Sequence, residues 1–209
     1  SRTADDFSAS LRLLGVPILR RADGSVHFLE RLEAALLAHL LIEGPASRAA
    51  MAALLWPAAD AARARGNLRQ RLRRLKAAAG FDLLADTDPL RLRADLAHDL
   101  DADDPALADR AGDAGAELLQ GLDLADVQGL HDWVLAARQR VRTARRAALE
   151  RDATQLETAG HVAAALRLAQ RLLELDALDE SAHRRVMRLH HVRGDRAAAL
   201  QAFQHCKDL

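Results

Sequence analysis

The stretch from Asp60 to Asp82 constrains this chain most, because it is strongly cationic and also has the apolar spacing of a helix. Between these two acids lie seven basic side chains and no Asp or Glu. Leucines recur at positions i, i+4 and i+7, which predicts one apolar stripe along an amphipathic helix. The predicted apolar side consists of Leu68, Leu72, Leu75, Ala61, Ala64 and Ala79.

The opposite face of this helix carries side chains that fit a DNA groove. It consists of Arg63, Gly66, Gln70, Arg73 and Ala77, flanked by Asn67, Arg69 and Arg74. Arginine binds phosphates or reads guanine, and Asn and Gln pair with adenine. A solvated basic face without a partner is the alternative. Gly66 inside the helix indicates either a close approach to a DNA backbone or drift.

The charges of the chain are segregated along its length, although its formal net charge is zero. Residues 1–81 hold 13 basic and 7 acidic side chains, and residues 82–135 hold 3 and 14. Residues 136–209 hold 14 basic and 9 acidic side chains. The neutral total therefore hides a basic N-terminal module beside an acidic middle segment.

The elements around the cationic helix follow the order of a winged helix-turn-helix. Short strands are predicted at 11–14, 16–20 and 26–29, and they are followed by helices at 30–43 and 48–56. Ser47 is the predicted N-cap of the second helix, and Asp60 is the predicted N-cap of the cationic helix. Two more strands are predicted at 81–85 and 90–94, around the turn Asp86-Thr87-Asp88-Pro89. In this arrangement the third helix enters the major groove, and the wing reaches backbone phosphates or the minor groove.

Nine side chains are predicted to contact DNA. Those on the exposed face of the third helix point into the groove, whereas those at the start of the second helix, at the edge of the third and on the wing meet phosphates. The predicted groove contacts are Arg63, Asn67, Gln70, Arg73 and Arg74, and the predicted phosphate contacts are Arg48, Arg69, Arg91 and Arg93.

The second half of the chain is predicted to be helical, with helices at 105–119 and 130–159 and a repeat after them. Gly160 and Gly194 end helices 34 residues apart, and similar alanine- and leucine-containing segments follow both. This period is typical of tetratricopeptide repeats. The predicted fold is therefore mainly α. A leader covers residues 1–10, a winged helix domain 11–98, and a tetratricopeptide-like domain 99–209.

Enzyme chemistry has no visible basis in this sequence. It contains no glycine-rich phosphate loop, no GxSxG and no HExxH. Cys206 is the only cysteine, so neither an internal disulfide nor a CxxC metal site can form. We therefore expect no cofactor and no metal. No apolar run is long enough to span a bilayer, and a cytoplasmic protein is the simplest expectation.

Several of these segments resemble the Streptomyces antibiotic regulatory protein (SARP) family. The resemblance is carried by Leu54-Leu55-Trp56-Pro57, the run from Ala62 to Leu75, Asp132 to Arg138, Leu173 to Asp176, His183 to Leu189 and Gly194 to Leu200. It implies a response-regulator-type winged helix joined to a helical bacterial transcriptional activation domain. It also implies binding to promoter direct repeats and activation through contact with RNA polymerase.

Two further questions stay open at the level of sequence. The alternative function is an interaction scaffold whose winged helix no longer reads DNA, which the acidic wing turn and the neutral net charge favour. For a DNA-binding protein, tandem copies on direct repeats and self-association into a symmetric dimer are both compatible with the chain.

Overall fold

The computed structural model describes residues 9–85, 88–100 and 115–209. The described residues are mainly helical, with 59% helix, and they contain seven helices. A small N-terminal sheet precedes an all-helical C-terminal region, which confirms the predicted fold class. No helix in the described ranges is long and apolar enough to cross a membrane.

The elements from β1 to β5 follow one another in the predicted order. The strands are β1 (Ser10–Arg12), β2 (Ile18–Arg20), β3 (Val26–Phe28), β4 (Leu84–Ala85), β5 (Arg91–Leu92) and β6 (Ala97–His98), and the helices are α1 (Arg31–Ile42), α2 (Arg48–Leu55), α3 (Ala61–Ala79), α4 (Gln128–Thr158), α5 (Val162–Leu175), α6 (Glu180–Val192) and α7 (Arg196–Asp208).

The Cα positions divide the chain into two compact units. One contains the described residues up to 100 together with Ala116–Gln139, and the other contains Arg140–Leu209. Packing thus groups residues 116–139 with the N-terminal part, whereas composition alone places a boundary near residue 98. The division into 1–10, 11–98 and 99–209 stays a prediction. Most of the predicted leader lies outside the described residues.

The first unit begins with a four-stranded sheet in the order β3-β2-β1-β6. β1 to β3 are antiparallel neighbours, and Leu11 of β1 pairs with Leu19 of β2. Both leucines are buried, so the sheet turns one face toward the helices. β6 pairs with β1 in parallel and was not predicted from the sequence.

Asp99 explains why the chain returns to the sheet after the hairpin. Its carboxylate accepts hydrogen bonds from the backbone N–H groups of Leu13 and Leu14 at 2.8 and 2.9 Å. Burial raises the pKa of Asp99, although these hydrogen bonds act in the opposite direction. A residue that resembles part of an acidic linker by composition is therefore a structural part of the sheet.

Side-chain caps fix the starts of α2 and α3. Ser47 Oγ accepts a hydrogen bond from the N–H of Ala50 at 3.1 Å. Asp60 accepts hydrogen bonds from the N–H groups of Ala62 and Arg63 at 3.0 and 2.9 Å. Each carboxylate or hydroxyl satisfies backbone donors that have no partner inside the helix. Both predicted N-caps are confirmed.

The apolar stripe of α3 is buried but is narrower than predicted. The buried residues are Ala64, Leu68, Leu75 and Ala79. Leu72 is only half-buried, and Ala61 is exposed because it is the first residue of the helix. Gly80 ends α3 in the left-handed conformation, with φ at 79°, which glycine adopts without steric cost.

A hairpin of β4 and β5 follows α3, with Leu84 opposite Leu92. Its strands are shorter than predicted, and Asp86 and Thr87 of the predicted turn lie outside the described residues. Ala46 and Leu90 exchange backbone hydrogen bonds of 3.3 and 2.8 Å. The hairpin is therefore attached to the loop that precedes α2.

The end of the predicted helix at 105–119 is extended instead. The N–H of Gly15 donates to the carbonyl of Glu117 at 2.8 Å, and Leu118 forms an antiparallel bridge with Leu14. Pairing with the N-terminal segment satisfies the backbone that a helix would otherwise satisfy, and it buries Leu118. The part of this prediction before residue 115 lies outside the described residues.

The N-terminal part of α4 packs inside the first unit. The indole N–H of Trp133 donates to Glu43 Oε1 at 2.7 Å, and its ring lies 4.9 Å from the His39 ring. Arg138 donates to the carbonyl of Leu118 at 2.9 Å. These contacts explain why the segment before residue 140 belongs to the N-terminal unit.

The second unit keeps the predicted 34-residue spacing. Leu166 and Ala169 of α5 are buried in a cluster with Val186 of α6. Their equivalents one period later are Leu200 and Phe203 of α7, which are 61% and 50% exposed. The difference arises because α6 covers α5, whereas no described element of this unit covers the same face of α7.

Asp179 caps α6 and also connects it to α4. Its Oδ1 accepts hydrogen bonds from the N–H groups of Ser181 and Ala182 at 2.9 and 3.1 Å, and its Oδ2 lies 2.6 Å from Arg146 Nη2. Burial alone raises the pKa of Asp179, but these hydrogen bonds and the charge of Arg146 outweigh it, so the pKa is lowered.

Asp179→Ala is expected to reduce the free energy of unfolding by about 2 kcal/mol, because the cap and the ion pair are both lost. Asp179→Asn keeps an acceptor oxygen, and about half of that loss is expected. Since the folded-state pKa is lowered, the contribution is present above the ordinary value of 3.8 and disappears as the pH falls below it. Urea unfolding across that pH range measures both effects. An Asp179→Ala loss as small as that of Asp195→Ala, which removes an exposed N-cap from α7, would contradict the assignment.

Candidate nucleic-acid interface

α3 presents a row of arginines to solvent. Arg63, Arg65, Arg69, Arg73 and Arg74 are all exposed. None of them forms an ion pair within 4 Å with any described residue. The buried leucine stripe holds the helix on the body of the unit, so the basic face points outward. This face therefore presents positive charge that an anionic partner can contact.

The centre of the same face is polar and open. Gln70 and Gly66 are exposed, and Asn67 is half-buried. A Cβ atom built on Gly66 would meet no described atom within 4 Å apart from the adjacent turns of its own helix. Packing inside the protein therefore does not require glycine here, and the helix backbone at this turn is accessible to a partner.

A groove of about 390 Å³ beside α3 brings three elements together. Arg48 comes from the start of α2, Arg69 and Arg73 come from α3, and the hairpin supplies the opposite wall with Leu84 and Leu90. The backbone N–H of Arg48 donates to Asp88 Oδ1 at 3.0 Å, so this carboxylate helps to hold the hairpin beside α2. Three predicted DNA contacts thus line one groove.

The hairpin arginines differ from each other. Arg91 is exposed. Arg93 is bound to Asp95 through two nitrogen–oxygen pairs, one of them 2.8 Å long, and its guanidinium lies 6.0 Å from the centre of the Phe81 ring. The hydrogen bond from Arg93 lowers the pKa of Asp95. To contact a phosphate, the Arg93 guanidinium must break its ion pair with Asp95 or bind both groups at once. The predicted role of Arg91 and Arg93 stays untested.

Arg71 is the one arginine of α3 that serves the fold. Its side chain is 16% exposed and forms ion pairs with Glu30 and with Glu33, which is only 3% exposed. Glu33 also accepts a hydrogen bond from the N–H of Glu30 at 3.1 Å. Arg71 therefore links α3 to the start of α1, and the acidic start of α1 is its partner.

Sequence spacing could have identified this role. Arg71 lies three residues after Leu68 and four before Leu75, which places it on the side of α3 that contains the buried stripe. Conversely, Arg65 was not among the nine predicted contacts, although it is as exposed as the neighbouring arginines of α3. Lys76 pairs with Asp82 at 2.7 Å.

The described residues contain no group of three or more His, Cys, Asp or Glu side chains that could hold a metal ion. The expectations of no metal and no cofactor stay predictions.

A family model, the bacterial transcriptional activator domain, matches residues 86–209. The match covers the end of the hairpin, the acidic segment and all of the helical second half. This family is a transcriptional activator domain family and not an enzyme family. No curated protein matches the chain.

Arg71→Gln is expected to lower the free energy of unfolding by about 1–3 kcal/mol, because Glu33 would stay buried without its cationic partner. Arg65→Gln is the matched control, since it removes the same charge from an exposed position of the same helix. Its effect is expected to stay within about 0.5 kcal/mol. Urea unfolding of both variants provides the comparison, and equal effects would show that Arg71 has no special structural role.

Proposed function

From the premise that the chain belongs to the bacterial transcriptional activator domain family, we propose that it is a sequence-specific DNA-binding transcriptional activator. The single observation that supports DNA binding best is the row of five exposed arginines on α3, none of which pairs with a described carboxylate. A face of this kind is the electrostatic footprint of a nucleic-acid binder.

The proposed reading of DNA divides the nine side chains into two roles. The exposed face of α3 enters the major groove, where Asn67 and Gln70 bind base edges and the arginines bind guanine or flanking phosphates. Arg48, Arg69, Arg91 and Arg93 bind phosphates and fix the position of the protein on the duplex. Arg63, Arg73 and Arg74 complete the groove contacts. A duplex partner in a bacterium also implies a cytoplasmic location.

The promoter would be read as direct repeats, with tandem copies or a self-associated dimer on the DNA. The resemblance to SARP-type regulators supports this proposal and also supports RNA polymerase as the second partner. The helical second half is then the part that contacts the transcription machinery. If the α3 face instead docks a protein, the chain is an interaction scaffold, and the pairing of Arg93 with Asp95 favours that alternative.

Selection of bound fragments from random duplex DNA is expected to enrich one repeated motif. On that motif, log K should fall against log[salt] with a slope of roughly −4 to −7, since about 4–8 phosphates are neutralised by one protomer. Arg73→Glu should abolish binding, because it reverses a charge at the centre of the basic face.

Arg167→Glu is the control for the charge change, since Arg167 is exposed on α5 in the other unit. It should leave affinity and slope nearly unchanged. No enriched motif, or weak binding with a shallow slope in the unmodified protein, would favour the scaffold instead.

Gln70→Ala is expected to change sequence preference and not salt dependence. Gln70 carries no charge, so the slope should stay the same while discrimination at one base pair falls by about 1–3 kcal/mol. Competition between the selected motif and its single-base variants measures this. Uniform weakening on all sequences, with preference retained, would show that Gln70 does not read a base.

A further inference from the structure

The second unit contains a groove of about 730 Å³ between α4 and α6. Its two walls differ in charge. Three arginines of α6 form one wall, and the α4 wall carries one acid and one base among small and polar residues. The lining residues are Ala147, Glu150, Arg151, Thr154, Gln155, Leu172, Ser181, Ala182, Arg184, Arg185 and Arg188.

The arginines of the α6 wall are only partly compensated by carboxylates. Arg185 and Arg188 share one acid, Glu157, at 2.9 and 2.7 Å. Two guanidinium groups therefore face a single negative charge. Arg184 pairs with Glu180 at 2.7 Å on the same helix, and the side chains of both are more than 70% exposed. An ion pair in such a position contributes little and is easily exchanged for another carboxylate.

The acid and the base of the opposite wall are both paired. Glu150 lies 2.9 Å from Arg146, and Arg151 lies 3.4 Å from Asp152. Arg185 reaches across the groove, where its guanidinium donates to Thr154 Oγ1 at 2.9 Å. The positive charge of the groove is thus concentrated along α6, at a site with hydrogen-bonding groups and alanines on the other side.

We propose that this groove binds an acidic segment of a partner protein. Carboxylates of that segment would bind the guanidinium groups of Arg184 and Arg188 in the bidentate geometry that arginine favours. Its other side would pack on Ala147 of the α4 wall. A DNA duplex fits less well, because its phosphates line both edges of each groove and one of them would face Glu150. The proposal concerns a different surface from the α3 face and does not depend on DNA binding.

The experiment is panning of a random linear peptide library on the full chain at low salt, in parallel for three proteins. The unmodified protein should enrich peptides rich in Asp and Glu. Arg184→Glu should lose this enrichment, and the affinity of the best labelled acidic peptide, measured by fluorescence anisotropy, should fall about tenfold or more. Arg167→Glu carries the same charge change on α5, outside the groove, and should behave like the unmodified protein.

Arg184 was chosen because its only ion pair with a described residue is made on the surface of its own helix, so the fold should be retained. Circular dichroism and the urea midpoint check this, and Arg188→Gln gives a second variant with a smaller charge change. Peptides without acidic enrichment, or equal affinity for Arg184→Glu and Arg167→Glu, would overturn the proposal. It would also be overturned if Arg184→Glu weakened duplex DNA binding and left peptide binding intact.

Discussion

Like charges repel one another along α3, and the N-terminal unit must offset this repulsion for the helix to be stable. The helix carries seven basic side chains and no acid, so neighbours such as Arg65 and Arg69, or Arg69 and Arg73, face each other at i, i+4 with the same sign. Such a helix is not stabilised by its own side-chain pairs. Its stability comes from burial of the leucine stripe and from acids on other segments. Asp60 caps its start, Glu30 and Glu33 hold Arg71, and Asp82 pairs with Lys76 near its end.

Those acids lie where they do not neutralise the outward face. Each contacts an end of α3 or the side turned toward α1, and the arginines between them keep their charge. The hairpin is also held by contacts outside the cationic face: the Ala46–Leu90 pairing and the Arg48–Asp88 hydrogen bond fix it beside α2. Acidic side chains and buried leucines thus stabilise α3 and leave its cationic face exposed.

Local patterns predicted much of this organisation. The leucine stripe of α3, the caps Ser47 and Asp60, and the 34-residue period are all set by residues close in sequence. The structure agrees with the caps and the period, and with the stripe except at Leu72 and Ala61. Strand β6, the extended backbone near Leu118 and the role of Asp99 depend on pairing with the first strands, more than 80 residues away. Neither helical periodicity nor acidic composition indicates which distant segment a residue pairs with. At the candidate site, most of the predicted face is exposed, as expected. The structural role of Arg71, which its exposed neighbours do not share, becomes clear only from the positions of Glu30 and Glu33.

The open surroundings of Gly66 have an evolutionary consequence. A Cβ atom at this position would meet no described atom outside its own helix turns within 4 Å, and Arg63, Arg69 and Gln70 on the same face are exposed. Substitutions there cost the fold little, whereas substitutions in the leucine stripe do not share that freedom. If this face binds DNA as proposed, two copies of such a chain that arise by gene duplication could diverge in their operators and keep the same fold. Mutational drift on the exposed face of α3 would then not be coupled to the risk of unfolding.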